Sequence, residues 1–444
     1  MKTGIPTYRN IWDISYPIII SLVAQNLINV IDTAFLGRVG EVELGASAIA
    51  GLFYISLFML GFGFGTGAQI LMARRNGESN YHDIGKIFNN SIYFLLALGL
   101  ALFFIIKIFS PVFLKSFISS PAIYAATHEF LRFRIYGIFF AFMNVIFRAF
   151  YISITKTRML TFAAVLMAAV NIILDYLLIF GNWGFPKMGI AGAGLASSIA
   201  EGSAALFFLF LTLRTVDIRK YGLFKRSKPD LAVVKKTLEI SVYVMMQNFA
   251  SLGGWFVFFM IVEHMGERTL AISNIIRSIY MVMMIPIWGF SSAVNTLVSN
   301  SLGAKHPDKV IPIIIKASKM SFLSILAVIA ASLLIPRLII SIYTSDPGLI
   351  SATVPTLYVI LGAMMLFSVT MMMFSGVSGT ANTNIAMAIE LFTIAIYLLA
   401  AYLLAVVFHQ RIEVVWLCEY IYFIILGSLS MLYLRTGKWR LKVV

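Results

Sequence analysis

ISYPIIISLVAQNLINVIDTAFLGRVG at 14–40 and ISVYVMMQNFASLGGWFVFFMIVEHMG at 240–266 read as two copies of one stretch. Ile14-Ser15 meets Ile240-Ser241, an offset of 226 residues that also pairs Ala24 with Ala250 and Gly40-Glu41 with Gly266-Glu267. Beyond these stretches it pairs Ser47, Ile49 and Tyr54 with Ser273, Ile275 and Tyr280, then Gly63-Phe64 with Gly289-Phe290. It returns at Tyr176-Leu177-Leu178 and Tyr402-Leu403-Leu404. One fixed offset over so many positions is hard to obtain from apolar composition alone, so the chain reads as a duplicated unit.

Each unit is built for a membrane. The 444 residues are 60% hydrophobic and 12% charged, with mean hydropathy +0.92; a soluble chain would carry about twice that charged fraction. The apolar segments are too long for barrel strands and lack period-two alternation, which leaves helices. Twelve spans are expected, the first near 12–35, the fourth near 124–150 and the last near 412–434. Six spans per copy give two pseudo-symmetric bundles of the same orientation, with their axis near the membrane normal and substrate bound between them. The expected division is an N-lobe at 1–213, a basic cytoplasmic linker at 214–236 and a C-lobe at 237–444. The first apolar stretch has no small-residue cleavage site and is expected to stay as the first span.

Most of the 34 Lys and Arg fall in regions that are inside if the N-terminus is inside, so both termini are expected in the cytoplasm. That placement explains the net charge of +15 as topology, with anionic lipid as partner and no nucleic acid. Cys418 stands alone, the five histidines are scattered, and no Walker A pattern occurs. Disulfides, a metal cofactor and ATP hydrolysis are therefore not expected. GFGFGTG at 61–67 lies inside a span and lacks the lysine of a phosphate loop; it reads as close helix packing. No nucleophile–base pair is visible, so the chain is not expected to be an enzyme, and nothing requires more than a monomer.

The two copies differ in charge. Pro17, Ser21, Gln25, Asn29 and Asp32 share one helical face. A carboxylate in hydrocarbon costs roughly 2.5–3.5 kcal/mol on insertion scales. In the second copy Ser21, Gln25, Asn29 and Asp32 become Gln247, Ser251, Trp255 and Phe258. Asn171 and Asp175, four apart on one face, become Tyr397 and Ala401. Ionisable chemistry is thus expected to concentrate in the first copy, at a cation site of Asp32, Asn171 and Asp175. Two carboxylates brought together in a low dielectric can hold a proton at neutral pH; with an amide and a hydroxyl they would hold Na⁺ instead. Ser197 offers the hydroxyl, and Gln25, Asn29 and Glu201 are accessory candidates. The competing structural reading pairs these acids with Arg148. Glu390 and Glu419 read as structural or interfacial. Pro17 removes an amide donor and is the expected hinge of the first helix. Gln247, Ser251, Trp255, Phe258 and Met281, in a half rich in methionine, are the candidate walls of an adaptable substrate cavity.

The segments NVIDTAFLGRVG at 29–40, NIILDYLLIFGNWGFPKMGIAGAGLAS at 171–197 and SGTANTN at 378–384, with a proline fifteen residues before the acid, resemble the multidrug and toxic compound extrusion (MATE) family over essentially the whole chain. The resemblance implies two six-helix lobes around a V-shaped cavity that opens alternately to either side, and export of organic, mostly cationic compounds in exchange for H⁺ or Na⁺. It assigns Asp32, Asn171 and Asp175 to an N-lobe cation site, Ser197 to a position where the sixth helix commonly has threonine, and Pro17 to a proline linked to coupling. Some members carry further acids in the seventh and tenth helices. Here the seventh offers Gln247 and the tenth none, which favours the N-lobe branch. The alternative is a lipid-linked oligosaccharide flippase of a related two-lobe fold; its cavity should be strongly basic, and Arg148 and Arg277 are the only convenient cations near the spans.

Overall fold

The computed structural model describes residues 6–225 and 228–441, and those residues are helical or in short connections. The helices are α1 Tyr8–Val39, α2 Glu41–Gly77, α3 Tyr81–Phe117, α4 Pro121–Arg134, α5 Gly137–Ser153, α6 Arg158–Phe180 and α7 Ile190–Thr215. The short α8, Ile218–Tyr221, leads to α9 Leu231–Glu263, α10 Glu267–Gly303, α11 Val310–Leu334 and α12 Pro336–Ser341. The chain closes with α13 Pro347–Gly379, α14 Thr383–Tyr402, α15 Ile412–Val415 and α16 Cys418–Thr436. Among the described residues, eleven segments are each long and apolar enough to cross a membrane. The pair α4–α5, bent by 53°, makes the twelfth and coincides with the expected fourth span.

Local chemistry sets the ends. Asn80 accepts from Asp83 N at the start of α3, and Ser120 accepts from Ile123 N with Pro121 opening α4. Asp346 does the same for α13, accepting from Gly348 N at 2.8 Å with Pro347 first in the helix. These side chains satisfy amides that have no intrahelical acceptor. Gly181, at φ 75°, closes α6 in the left-handed region.

The chain forms two compact units: an N-unit, Tyr16–Met245, and a C-unit made of the chain through Ser15 together with Met246 onward. The two long helices α1 and α9 are therefore each divided between them. In the N-unit, Gly63 and Gly67 of α2 lie against Met245 and Ser241 of α9, where added Cβ atoms would collide. Ser241 Oγ is 3.1 Å from the Phe64 carbonyl there. In the C-unit, Lys316 Nζ donates to the Pro6 carbonyl at 3.0 Å and Trp12 packs on Phe290.

The segment 214–236 is less solvated than its charge suggests. Asp217 caps α8, and Tyr221 and Leu223 are buried. Asn89 of α3 donates to the Gly222 carbonyl at 3.0 Å and accepts from Phe224 N at 2.9 Å; Asn90 accepts from Asp230 N at 2.7 Å. Two adjacent amides on α3 thus clamp the described part of this segment onto the N-unit. Arg226 and Ser227 lie outside the described residues.

Candidate cation site and the buried carboxylates

In the N-unit, α1, α6 and α7 bring Asp32, Asn171, Asp175 and Ser197 together. Asn171 and Asp175 are buried, and Asp32 is half-buried. In the amide orientation that satisfies its neighbours, Asn171 Nδ2 donates to Asp32 Oδ1 at 3.0 Å and to Asp175 Oδ2 at 3.2 Å. The other terminus of the amide lies 3.5 Å from Ser197 Oγ. One amide therefore bridges two carboxylates from different helices. Asp175 Oδ1 is buried without a partner among the described residues. Such an atom is costly unless it gains a proton or a cation, so the residues present fit either ion.

The accessory candidates do not join this cluster. Gln25 and Asn29 have exposed side chains on α1. Glu201 is engaged elsewhere: Arg134 Nη1 and Nη2 donate to its two carboxylate oxygens at 2.7 and 2.5 Å, and Tyr54 Oη donates to one of them at 3.3 Å. The Arg134 guanidinium also lies 3.7 Å from the Tyr54 ring centroid. The break between α4 and α5 positions this pair. Gly137 begins α5 so close to Arg134, Glu201 and Ser198 that a Cβ there would strike all three. Ser198 Oγ stands 3.0 Å from the Phe133 carbonyl, which also accepts from Tyr136 N at 3.3 Å where the helix breaks. Arg148 does not neutralise either aspartate; its guanidinium sits 5.4 Å from the Phe62 centroid, and its Nε is buried without a partner. Neither Asp32 nor Asp175 belongs to an ion pair among the described residues. Pro17 is buried inside an unbroken α1, and Thr161 Oγ1 of α6 donates to its carbonyl at 3.0 Å.

The C-unit corrects two expectations. Phe258 is only 1% exposed, packed on Trp416 and Tyr397 with centroids 5.0 and 5.6 Å away. It is core, because rings from distant parts of the C-unit close over it. Ionisable chemistry is also not confined to the first copy. Glu390 on α14 and Glu419 on α16 are each 3% exposed. Glu390 Oε1 accepts from Tyr422 Oη at 2.6 Å and from Ser251 Oγ at 2.8 Å, while its Oε2 is buried and unpartnered. Glu419 Oε2 accepts from Tyr280 Oη at 3.0 Å. The sequence signal for these acids was a glutamate well inside each of two apolar spans; their hydroxyl donors lie too far along the chain to be paired by spacing. Of the other cavity candidates, Ser251 serves Glu390, Trp255 stacks on Tyr280 at 5.7 Å and 8°, Gln247 is half-buried and Met281 is 41% exposed.

A model of the MatE family matches residues 17–177 and again 244–403. The two matches end 226 residues apart, at the offset of the internal repeat. A probable multidrug resistance protein NorM of Thermotoga maritima is 25% identical over 426 residues, 95% of this chain and 91% of that protein. Its namesake in Photorhabdus laumondii is 26% identical over 344 residues, 76% of this chain and 74% of that one. The solved structure of an outward-facing multidrug resistance MATE family transporter of the MOP superfamily has the same fold, with a TM-score of 0.88 at 20% identity, covering 98% of this chain and 97% of the other.

Proposed function

The chain belongs to the MatE family of membrane transporters, and from that premise we propose that it is a secondary antiporter exporting several kinds of amphipathic organic compound in exchange for H⁺ or Na⁺. The relatives' naming as multidrug resistance proteins supports the export of drugs. The observation that carries the coupling is the pair Asp32–Asp175 bridged by Asn171, with Asp175 Oδ1 left open.

The bridge offers two chemistries. With Nδ2 toward the acids, Asn171 holds two carboxylate oxygens together, and a proton on either acid relieves their repulsion. With the amide turned, its oxygen joins those of Asp32 and Asp175, and this all-oxygen set would bind Na⁺. In either case the ion neutralises charge that the low dielectric disfavours, and its departure restores that charge. Pro17 supplies a bend on the helix that carries Asp32. It lies two residues past Ser15, where α1 passes from one compact unit to the other. We place the protein in the plasma (inner) membrane with both termini cytoplasmic, on the distribution of its basic residues.

Purified protein in proteoliposomes, given an imposed pH gradient and separately an imposed Na⁺ gradient, tests this reading with ethidium as cargo. One gradient should drive uphill transport. If neither moves ethidium or any other amphipathic compound, the antiporter reading fails.

A further inference from the structure

Arg277 lies nine residues inward from Arg268 on α10, about 13 Å along the helix axis, and so within the spanning segment. It is half-buried. Its Nη2 makes one 3.3 Å bond to Asn274 Oδ1 a turn earlier on the same helix. Its Nε is buried without a partner among the described residues. The ion pairs of the C-unit's described residues leave it out. An arginine at this depth, without an anion and beyond the reach of snorkelling, is expensive and points to a ligand or a watery cavity.

Its surroundings define the ligand. The guanidinium lies 5.4 Å from the Phe259 centroid. Trp255 flanks Phe259 at 6.1 Å and is itself stacked on Tyr280. Met281, one turn further along α10, is 41% exposed. A planar cation with a free Nε edge beside an aromatic wall and a polarisable thioether matches an oxyanion carried on an aromatic or apolar body.

We propose that the half-buried strip of α10 and α9 formed by Arg277, Asn274, Trp255 and Phe259, with the exposed Met281 at its edge, binds amphipathic organic anions, which this transporter exports as well as cations. The guanidinium holds the carboxylate or sulfonate, and Trp255, Phe259 and Met281 hold the body. This adds a named substrate class to the antiporter proposed above and rests on it.

The test compares 8-anilinonaphthalene-1-sulfonate with ethidium in the same proteoliposomes, under whichever gradient drives export. Wild type should move both. Arg277→Gln should lower sulfonate transport at least tenfold with ethidium transport within twofold of wild type, and Arg277→Lys should restore part of the sulfonate activity. Sulfonate transport in Arg277→Gln within twofold of wild type overturns the proposal. So does equal loss of both probes in Arg277→Gln and Arg277→Lys when both variants remain monodisperse, which would make the arginine structural. Wild type that moves ethidium alone overturns this inference and leaves the exporter standing; wild type that moves neither probe overturns both. Replacing neutral lipid by phosphatidylglycerol separates a second source of the same chemistry. If rising phosphatidylglycerol suppresses sulfonate transport in wild type, the arginine serves a lipid headgroup and the export proposal fails.

Discussion

The N-unit and the C-unit place different chemistry on the same scaffold. Where Asp32 meets the amide of Asn171 in one, Phe258 meets the ring of Tyr397 in the other, with centroids 5.6 Å apart. The position of Asp175 is taken by Ala401, which is fully buried. The repeat has kept the contact between these positions and set a ring pair where the first copy has an acid and an amide. The C-unit keeps its acids elsewhere, at Glu390 and Glu419, each capped by neutral hydroxyls. What distinguishes these carboxylates is the partner. Glu201 faces an arginine and is held by it through two hydrogen bonds. Glu390 and Glu419 accept from tyrosine and serine hydroxyls, which stabilise without neutralising, and Glu390 Oε2 stays without a partner among the described residues. Asp32 and Asp175 share the Asn171 amide and face each other, the contact on which the proposed ion coupling rests.

The sharpest break between the units should come from removing those charges. Asp32→Asn and Asp175→Asn are expected to reduce gradient-driven export to background in proteoliposomes while the protein still inserts and purifies as a single species. Glu390→Gln, equally buried, should retain at least about a third of wild-type rate, because Ser251 and Tyr422 can still bond to the amide. If Glu390→Gln abolishes transport and Asp175→Asn does not, coupling resides in the C-unit.

Next in size is the ion pair that keeps Glu201 out of the site. Breaking a buried pair from one side costs about 3–5 kcal/mol; with both side chains partly exposed, at 12% and 16%, about 2–3 kcal/mol is the better expectation for Arg134→Gln. Thermal unfolding in detergent would show it, and Arg134→Gln with Glu201→Gln should recover part of the loss. A transport defect in Arg134→Gln with unchanged melting would instead assign the pair to the coupling site.

Asn171→Leu removes the bridge and leaves two carboxylates without their shared donor. Losing a buried donor of this kind costs about 1–3 kcal/mol. The ion-bound state relieves the same repulsion, so stability should become more dependent on the coupling ion than in wild type. A melting temperature that falls equally with and without the ion would show that the amide packs and does not gate.

The helical count, the duplication and the set Asp32, Asn171, Asp175 and Ser197 were legible in the sequence. Spacing along one helix and a constant offset between copies are both preserved in the fold. The break at Ile135 and Tyr136 was not legible, because no proline marks it and the Ser198 hydroxyl that meets the Phe133 carbonyl there comes from another helix. Glu201, an accessory candidate by sequence, is held away from the cluster by Arg134, which lies 67 residues away and cannot be paired with it by spacing along one helix. Phe258 was misread as cavity wall because its face follows from the repeat, whereas its burial depends on Trp416 and Tyr397, contributed by distant helices. The division of α1 and α9 between the units was hidden as well, since a helix that changes neighbours midway keeps an unbroken apolar pattern.

The smallest expected effect concerns that division. Thr161 donates to the carbonyl of Pro17, so α6 holds α1 at its proline as well as at Asp32. Proline brings no amide hydrogen to the helix ladder, so α1 carries one backbone bond fewer at this turn. Thr161→Val keeps the shape of the side chain and removes the bond, which should cost about 1 kcal/mol. If Pro17 is a static kink, this loss appears only as a slightly lower melting temperature. If α1 bends there during the cycle, the tether restrains one conformation, and its removal should change the transport rate severalfold while leaving binding of the coupling ion unchanged. A rate equal to wild type in Thr161→Val, together with the expected small loss of stability, would leave the hinge without support from this contact.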